Sequence, residues 1–366
     1  MKGPARRLAL LAEGCFTPLD AKTAVGMLRY RPQRVAAVVD STSAGRTAEA
    51  CVGVGGSIPV VANLEAAAAQ GADSLLIGVA PQGGGLKEDW RGMVRDAIQR
   101  GWDVLSGLHV FLADDPELAA LAERHHVRLF DARRPPAVRP VAARRAAALD
   151  RLVVLTVGTD CNVGKMTAAL ELVRGLEARR TKTAFVATGQ TGIFIADHGV
   201  AVDAVPGDFA AGVVEQQVLE AARDAEVVVV EGQGALHHPG YSGVTLALLH
   251  GACPSIMVLC HQAGRERVRV PGASPEESDS QPEIRPLADL VLVYESAASW
   301  VSPAKVAAVA LNTHGLSDQE ARLAIETAAR ETGLPATDPV RMGPGVLVDA
   351  VESWRAPRGG HRASVH

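Results

Sequence analysis

The chain has 366 residues, 48% of them hydrophobic, with 36 glycines and few aromatic residues, which suits an α/β protein of about two domains rich in tight strand-to-helix turns. A formal charge of -4 gives no electrostatic footprint for nucleic acid or an anionic membrane, and no apolar run approaches the roughly 20 residues of a spanning helix, so neither partner is expected. The five cysteines (Cys15, Cys51, Cys161, Cys253 and Cys260) are scattered and lack the spacing of a zinc site, so reduced thiols in a cytoplasmic protein are expected.

The opening stretch MKGPARRLALLAEG places basic residues before an apolar run of only about five residues, which fits a first strand better than a signal peptide. RVAAVVDS (34 to 41), ADSLLIGVA (72 to 80) and VRLFDA (127 to 132) have the composition of strands. Between them EDWRGMVRDAIQRG and DPELAALAERHH carry helical periodicity. Strands alternating with helices imply parallel pairing with right-handed crossovers, so residues 1–135 are expected to form a small Rossmann-like domain. The proline- and arginine-rich stretch DARRPPAVRPVAARRA follows. Its prolines and dense like charge oppose packing, so 136–149 is expected to be a solvated linker, the alternative being arginines that grip a phosphate.

A second α/β unit is expected over 150–355. RLVVLTVG is a buried strand and KMTAALELVRGLEAR a helix with one apolar face; TAFVATG, AEVVVVEG, PSIMVLC, ADLVLVYE and VAAVALN are expected as further strands. Such continuous apolar runs fit a parallel sheet covered on both faces. The end, 356–366, is expected to be a disordered tail.

Within this unit GTDCNVGKMT forms a strand-loop-helix junction. A loop of this kind presents backbone N–H groups to an anion at the positive end of a helix dipole. Gly158, Thr159, Asp160, Cys161, Asn162, Val163 and Gly164 form the expected phosphate loop, and Lys165 supplies a point charge. Five residues, not four, separate the two glycines, and Met166 stands where a magnesium-binding hydroxyl normally follows the lysine. A thioether is a poor ligand for so hard an ion. Thr167 lies one residue further, roughly 100° around the helix. If magnesium is used, Asp160, Asp208 and Glu231 are the candidate ligands.

GTDCNVGK, together with VEGQGA (230 to 235), resembles the loop and acidic strand end of dethiobiotin synthetase and its amidoligase relatives. That resemblance implies a P-loop NTPase-like fold, with ATP and magnesium activating a carboxylate. ATGQTG (187 to 192) resembles the segment after the second strand of that family, without its upstream lysine. A wider resemblance is carried by LAEGCF, AKTAVGMLRY, GVAPQGG, GTDCNVGKMTAALEL, ATGQTGIFI, DAVPGDFAAG, VEGQGALHHPGYSGVTLALLHG and HQAGR, which span nearly the whole chain. These are similar to a P-loop family once described only as a domain of unknown function and associated with D-glutamate N-acetyltransferase. The resemblance implies acetyl-CoA as cofactor, its phosphates held in the loop without magnesium-assisted transfer.

Acetyl transfer needs a base for the attacking ammonium group and donors for the developing oxyanion. Ligands of parallel α/β sheets bind at the carboxyl edge. Glu231, at a strand end, and His237 and His238, in the following loop, are therefore the candidate bases; Tyr241 and Ser242 are possible hydrogen-bond donors. Gln190, Thr191, Asp208, His261, Arg265 and Arg267 are the candidate substrate contacts, arginine being suited to a small dicarboxylic amino acid. Asn312 ends a strand where dethiobiotin-synthetase-like proteins direct an Asn toward the nucleobase. Structural readings compete at several positions: Asp208 as a helix N-cap, Cys161 as small-residue packing rather than an acyl carrier, and the histidines and arginines as exposed loop residues. Three functions stay open: acetyl-CoA-dependent N-acetylation of a small acidic amino acid, an ATP- and magnesium-dependent ligase or kinase acting on a carboxylate, and a non-catalytic nucleotide sensor. The N-terminal domain is expected to supply substrate contacts or a homo-oligomer interface.

Overall fold

The computed structural model describes residues 6–18, 20–79, 85–270, 274, 277 and 280–355; the tail 356–366 lies outside them. The chain divides into two compact units, Met1–Pro135 with Gly189–Ala204, and Pro136–Thr188 with Val205–His366.

In the first unit the short apolar runs form β1 (Leu8–Leu11), β2 (Val35–Val39), β3 (Val60–Val61), β4 (Ser74–Ile77), β5 (Asp103–Ser106) and β6 (Leu129–Asp131). They make one sheet in the order β3-β2-β1-β4-β5-β6, parallel at every pairing. This is the doubly wound order, with its reversal between β1 and β4. Strands such as LALL and VAAVV are buried along their full length, as parallel strands covered on both faces must be. Helix starts are chemically marked: Asp115 accepts from the N–H groups of Glu117 and Leu118 at the head of Pro116–His125, with Pro in the first turn.

The second unit contains β7 (Leu152–Gly158), β8 (Thr183–Val186), β9 (Val227–Val230), β10 (Ile256–Gln262), β11 (Lys305–Asn312) and β12 (Ala336–Thr337). Their order is β12-β11-β10-β7-β9-β8, again parallel throughout. β7 lies between β10 and β9, with Gly158 beside Cys260 and Leu155 beside Val230. The loops after β7, β9 and β10 therefore leave one sheet edge side by side. Beneath them Val154, Val229, Val258 and Ala308 pack against Leu172 and Leu176 of helix Lys165–Ala178 and against Leu347 and Val351 of helix Gly345–Arg355.

Three features depart from the sequence expectations. ADLVLVYE is not a strand but part of helix Leu287–Ser299. Its buried residues Leu287, Leu290, Tyr294, Ala297 and Ala298 follow helical spacing, while Leu292 is 66% exposed; the unbroken apolar run conceals that period. Gly189–Ala204 belongs to the first unit although its sequence lies between β8 and β9. The expected linker is exposed over much of its length, with Val138 77% and Val141 66% exposed, but it is anchored to the second unit rather than free. Buried Glu215 accepts from the backbone N–H groups of Ala143 and Arg145, and a Cβ at Gly212 would lie 1.8 Å from the Pro140 carbonyl oxygen. Among the described residues no helix is long and apolar enough to cross a membrane.

Candidate functional site

The loop between Gly158 and Lys165 turns through two left-handed residues, Asn162 at φ 59° and Gly164 at φ 108°, the second a conformation that favours glycine. No side chain caps helix Lys165–Ala178, so its first N–H groups and positive dipole end serve the loop. The Lys165 side chain is 6% exposed and folds back, Nζ donating to the Asp160 carbonyl at 2.6 Å. Burial lowers its pKa; an arriving anion would oppose that shift and offer the ammonium a stronger acceptor.

Asp160 is held inside the loop. One carboxylate oxygen accepts from the Cys161 N–H at 2.7 Å, the other from Arg265 Nη1 at 2.8 Å and the Arg269 N–H at 3.0 Å. Arg265 also donates to the Cys161 carbonyl at 2.7 Å and to Gln262, so it clamps the loop from the end of β10. Burial pushes its pKa down, against the pull of Asp160. Thr159 Oγ1 meets His261 Nδ1 at 2.8 Å. Burial, then Arg265, lowers the His261 pKa to about 4, so that ring is neutral at neutral pH.

The loop after β9 lies close against this one. Gly232 donates to Thr156 Oγ1 at 2.9 Å, and a Cβ there would fall 1.7 Å from the Thr156 carbonyl oxygen and 3.1 Å from Lys165 Cδ. Glu231 is buried, its carboxylate accepting from the Thr188 N–H at 2.9 Å. Tyr294, fully buried, donates to the Gly158 carbonyl at 2.6 Å and accepts from the Leu236 N–H at 3.3 Å; burial raises its pKa. It thus ties the two loops together.

The two histidines differ. His238 is buried, its Nδ1 accepting from the Gly240 N–H at 3.1 Å and its Nε2 facing the Arg269 carbonyl at 3.3 Å, with Tyr241 stacked at 4.5 Å between centroids. These partners place the proton on Nε2. His237 lies near the Thr159 backbone, and neither ring nitrogen makes a well-formed hydrogen bond among the described residues. Burial lowers its pKa, so His237 is a neutral imidazole at neutral pH, with both ring nitrogens buried.

Other expected residues are placed as follows. Asn312, at the end of β11, lies beside the loop: a Cβ at Gly164 would fall 3.8 Å from Asn312 Cβ, and Asn312 Oδ1 accepts from the His314 N–H. Met166 and Thr167 are half-buried in the first helical turn. Asp208 is exposed in the first turn of helix Gly207–Ala221, whose N-cap is Pro206, so it is not the expected N-cap residue. Arg267 is engaged away from the loop, donating to the Gln281 carbonyl and the Glu283 carboxylate across a bridge of backbone. Gln190 and Thr191 fall in the first unit, where Gln190 accepts from buried Arg133 at 3.0 Å and Thr191 meets Thr23 at 2.9 Å. Among the described residues, the potential ligand atoms brought within 4.8 Å of one another belong to Asp160, Cys161 and His238, a different set from Asp160, Asp208 and Glu231.

Tyr294, Thr156 and Arg133 escape sequence reasoning. The first lies in a run that imitates a strand, the second inside a strand, and the third in a stretch that imitates a linker.

Residues 140–348 match the family model for the P-loop domain of DUF1611, a domain of unknown function, and residues 41–135 match its N-terminal Rossmann-like domain. The chain is similar to a D-glutamate N-acetyltransferase from Tritonibacter scottomollicae, at 38% identity over 91% of this chain and 94% of that protein. A D-glutamate N-acetyltransferase from Pseudoalteromonas sp is 35% identical over 77% of this chain and 82% of its own. The crystal structure of a DUF1611 family protein from Anabaena variabilis ATCC 29413 superposes with a TM-score of 0.88, at 39% identity over 95% of this chain and 99% of that one. The chain belongs to this two-domain family.

Proposed function

We propose that this family member transfers the acetyl group of acetyl-CoA to the amino group of D-glutamate, with Gly158–Lys165 holding CoA phosphates. The observation that carries the reading is the 38% identity to a D-glutamate N-acetyltransferase along 91% of the chain, and the loop geometry agrees with it. Two left-handed residues, an uncapped helix start and a buried lysine make an anion cradle. Asp160, the carboxylate within that loop, is already saturated by N–H donors, which favours a handle for phosphate over a magnesium-dependent engine.

For the chemistry, His237 is the base this geometry favours over His238 and Glu231. It takes the proton that the attacking ammonium must lose; the other two have ring or carboxylate atoms committed to N–H or carbonyl partners. The thioester of CoA lies at the far end of the pantetheine arm from its phosphates, so that arm must fold back toward Gly232–Tyr241. The test is CoA-thiol release by the purified chain on addition of D-glutamate, with L-glutamate as comparator and ATP omitted. No release with either amino acid would reject the reading.

A second reading, ATP-dependent activation of a carboxylate, is favoured by the position of Glu231 at the end of β9 beside the loop. It requires ADP or phosphate release that depends on both magnesium and a small acid.

A further inference from the structure

Beside the phosphate loop the second unit contains a groove of about 650 Å³. Its inner end consists of residues that already hold the loop. His261 meets Thr159 at 2.8 Å, and Arg265 bonds Asp160 and the Cys161 carbonyl. Its walls mix charged residues with apolar ones, Leu287 and Leu311 from the helix and strand behind it and Leu323 and Ala324 from helix Asp318–Thr332. Leu323 is 59% exposed along this wall.

Two observations select the occupant. Arg265 has a side chain only 4% exposed, yet its buried Nε–H has no acceptor among the described residues, and a buried donor of this kind calls for a partner. Among the described residues the groove also carries no surplus of positive charge. Arg265 and Arg267 are paired with Asp160 and Glu283, Arg285 faces Asp289 at 3.7 Å, and Glu266, Glu320 and Glu331 line the same space. A further phosphate, or the two carboxylates of glutamate, would meet that acidic lining. A flat, uncharged ring with apolar faces and polar edges would not.

We propose that the groove binds the adenine ring of the nucleotide whose phosphates the loop holds, in place of the Asn312 position that the dethiobiotin-synthetase resemblance implies. The inference rests on the phosphate-loop reading above and not on acetyl transfer itself. A ring nitrogen accepts from Arg265 Nε–H, the exocyclic amine donates to a lining carboxylate such as Glu266, and the faces lie against the leucines. The loop and the groove then divide the work: one reads charge, the other the base.

The test is a calorimetric titration of the full chain with CoA, ATP and 4′-phosphopantetheine, which has the arm and a phosphate but no adenine. Ala324→Trp fills the groove from a half-buried position, and Leu323→Asp alters its exposed wall without touching the core. For Ala324→Trp the expected loss is roughly tenfold or more in affinity for the adenine-bearing ligand that the wild type binds, with 4′-phosphopantetheine binding unchanged. Leu323→Asp is expected to shift the same ligand in the same direction. Wild-type affinity in both variants, or equal loss for CoA and 4′-phosphopantetheine, would overturn the assignment. If the wild type binds neither CoA nor ATP, the phosphate-loop reading fails and the groove assignment with it. If it binds CoA but forms no acetylated product, only the acetyltransferase reading fails.

Discussion

Arg265 Nη1 donates to the Asp160 carboxylate at 2.8 Å, with the two side chains 4% and 0% exposed. This buried pair makes the loop conformation depend on a residue more than a hundred positions further along the chain. Removing one member of a buried pair leaves a charge without its counterion, so Arg265→Ala is expected to destabilise the chain by about 3–5 kcal/mol. The N–H groups of Cys161 and Arg269 still solvate Asp160, which favours the lower end. Arg265→Lys is expected to recover little, since one ammonium cannot serve Asp160, Cys161 and Gln262 together. Urea unfolding of the three proteins checks this, and a wild-type midpoint for Arg265→Ala would contradict it.

His237 and His238 are adjacent, but the predicted consequences of replacing them differ. His237→Gln is expected to lower kcat by roughly 10²–10⁴ while leaving the fold intact. With burial holding the His237 pKa below its ordinary value, the wild-type rate is expected to fall only at pH below about 6.5, and that acid limb should vanish from the residual activity of the variant. His238→Gln is expected to act mainly through stability, because it removes the contact to the Arg269 carbonyl. Equal loss of kcat in both variants, with unchanged melting, would reject this division.

His261 provides a pH test of stability. Its folded pKa is about 4, against an unfolded value near 6.5. Between these the unfolded chain binds the extra proton, so stability falls as the pH drops from about 6.5 to about 4, by at most about 3 kcal/mol from this residue. His261→Asn is expected to flatten that interval of the profile. An unaltered slope in urea-melt series at several pH values would remove His261 as the cause.

Gly232 is required by contact, not by an unusual φ. Because a Cβ would lie 1.7 Å from the Thr156 carbonyl oxygen, Gly232→Ala must displace either β7 or the following loop. Overpacking of this kind costs about 1–3 kcal/mol, and the displaced loop is expected to lose CoA affinity as well. Thermal melting and CoA titration of this variant together measure both effects; wild-type values in each would contradict the packing argument.

Much of this architecture was legible because parallel strands buried on both faces are short apolar runs, and because phosphate loops join a strand to a helix through glycine. Strand identity failed at ADLVLVYE, where an apolar run that is continuous in sequence conceals the helical spacing of Leu287, Leu290 and Tyr294. The anchoring of 136–149 was hidden, because the residue that holds it, Glu215, lies on a distant helix. At the candidate site, chain order brought Glu231 and the histidines to the sheet edge that carries the phosphate loop. It could not say that His238 spends both nitrogens on backbone while His237 spends neither, since that depends on where Gly240 and Arg269 fall in space. Arg267 was expected as a substrate contact, and its guanidinium is engaged with Glu283 and the Gln281 carbonyl.

The central claim, acetyl transfer with the phosphate loop as a CoA handle, is most directly tested by mass spectrometry of two parallel reactions of the purified chain with D-glutamate. One contains acetyl-CoA alone and the other ATP with magnesium. The account predicts that D-glutamate gains one acetyl group in the first mixture, with free CoA as co-product and no need for ATP. ADP formation in the second mixture, with unmodified D-glutamate in the first, would contradict it.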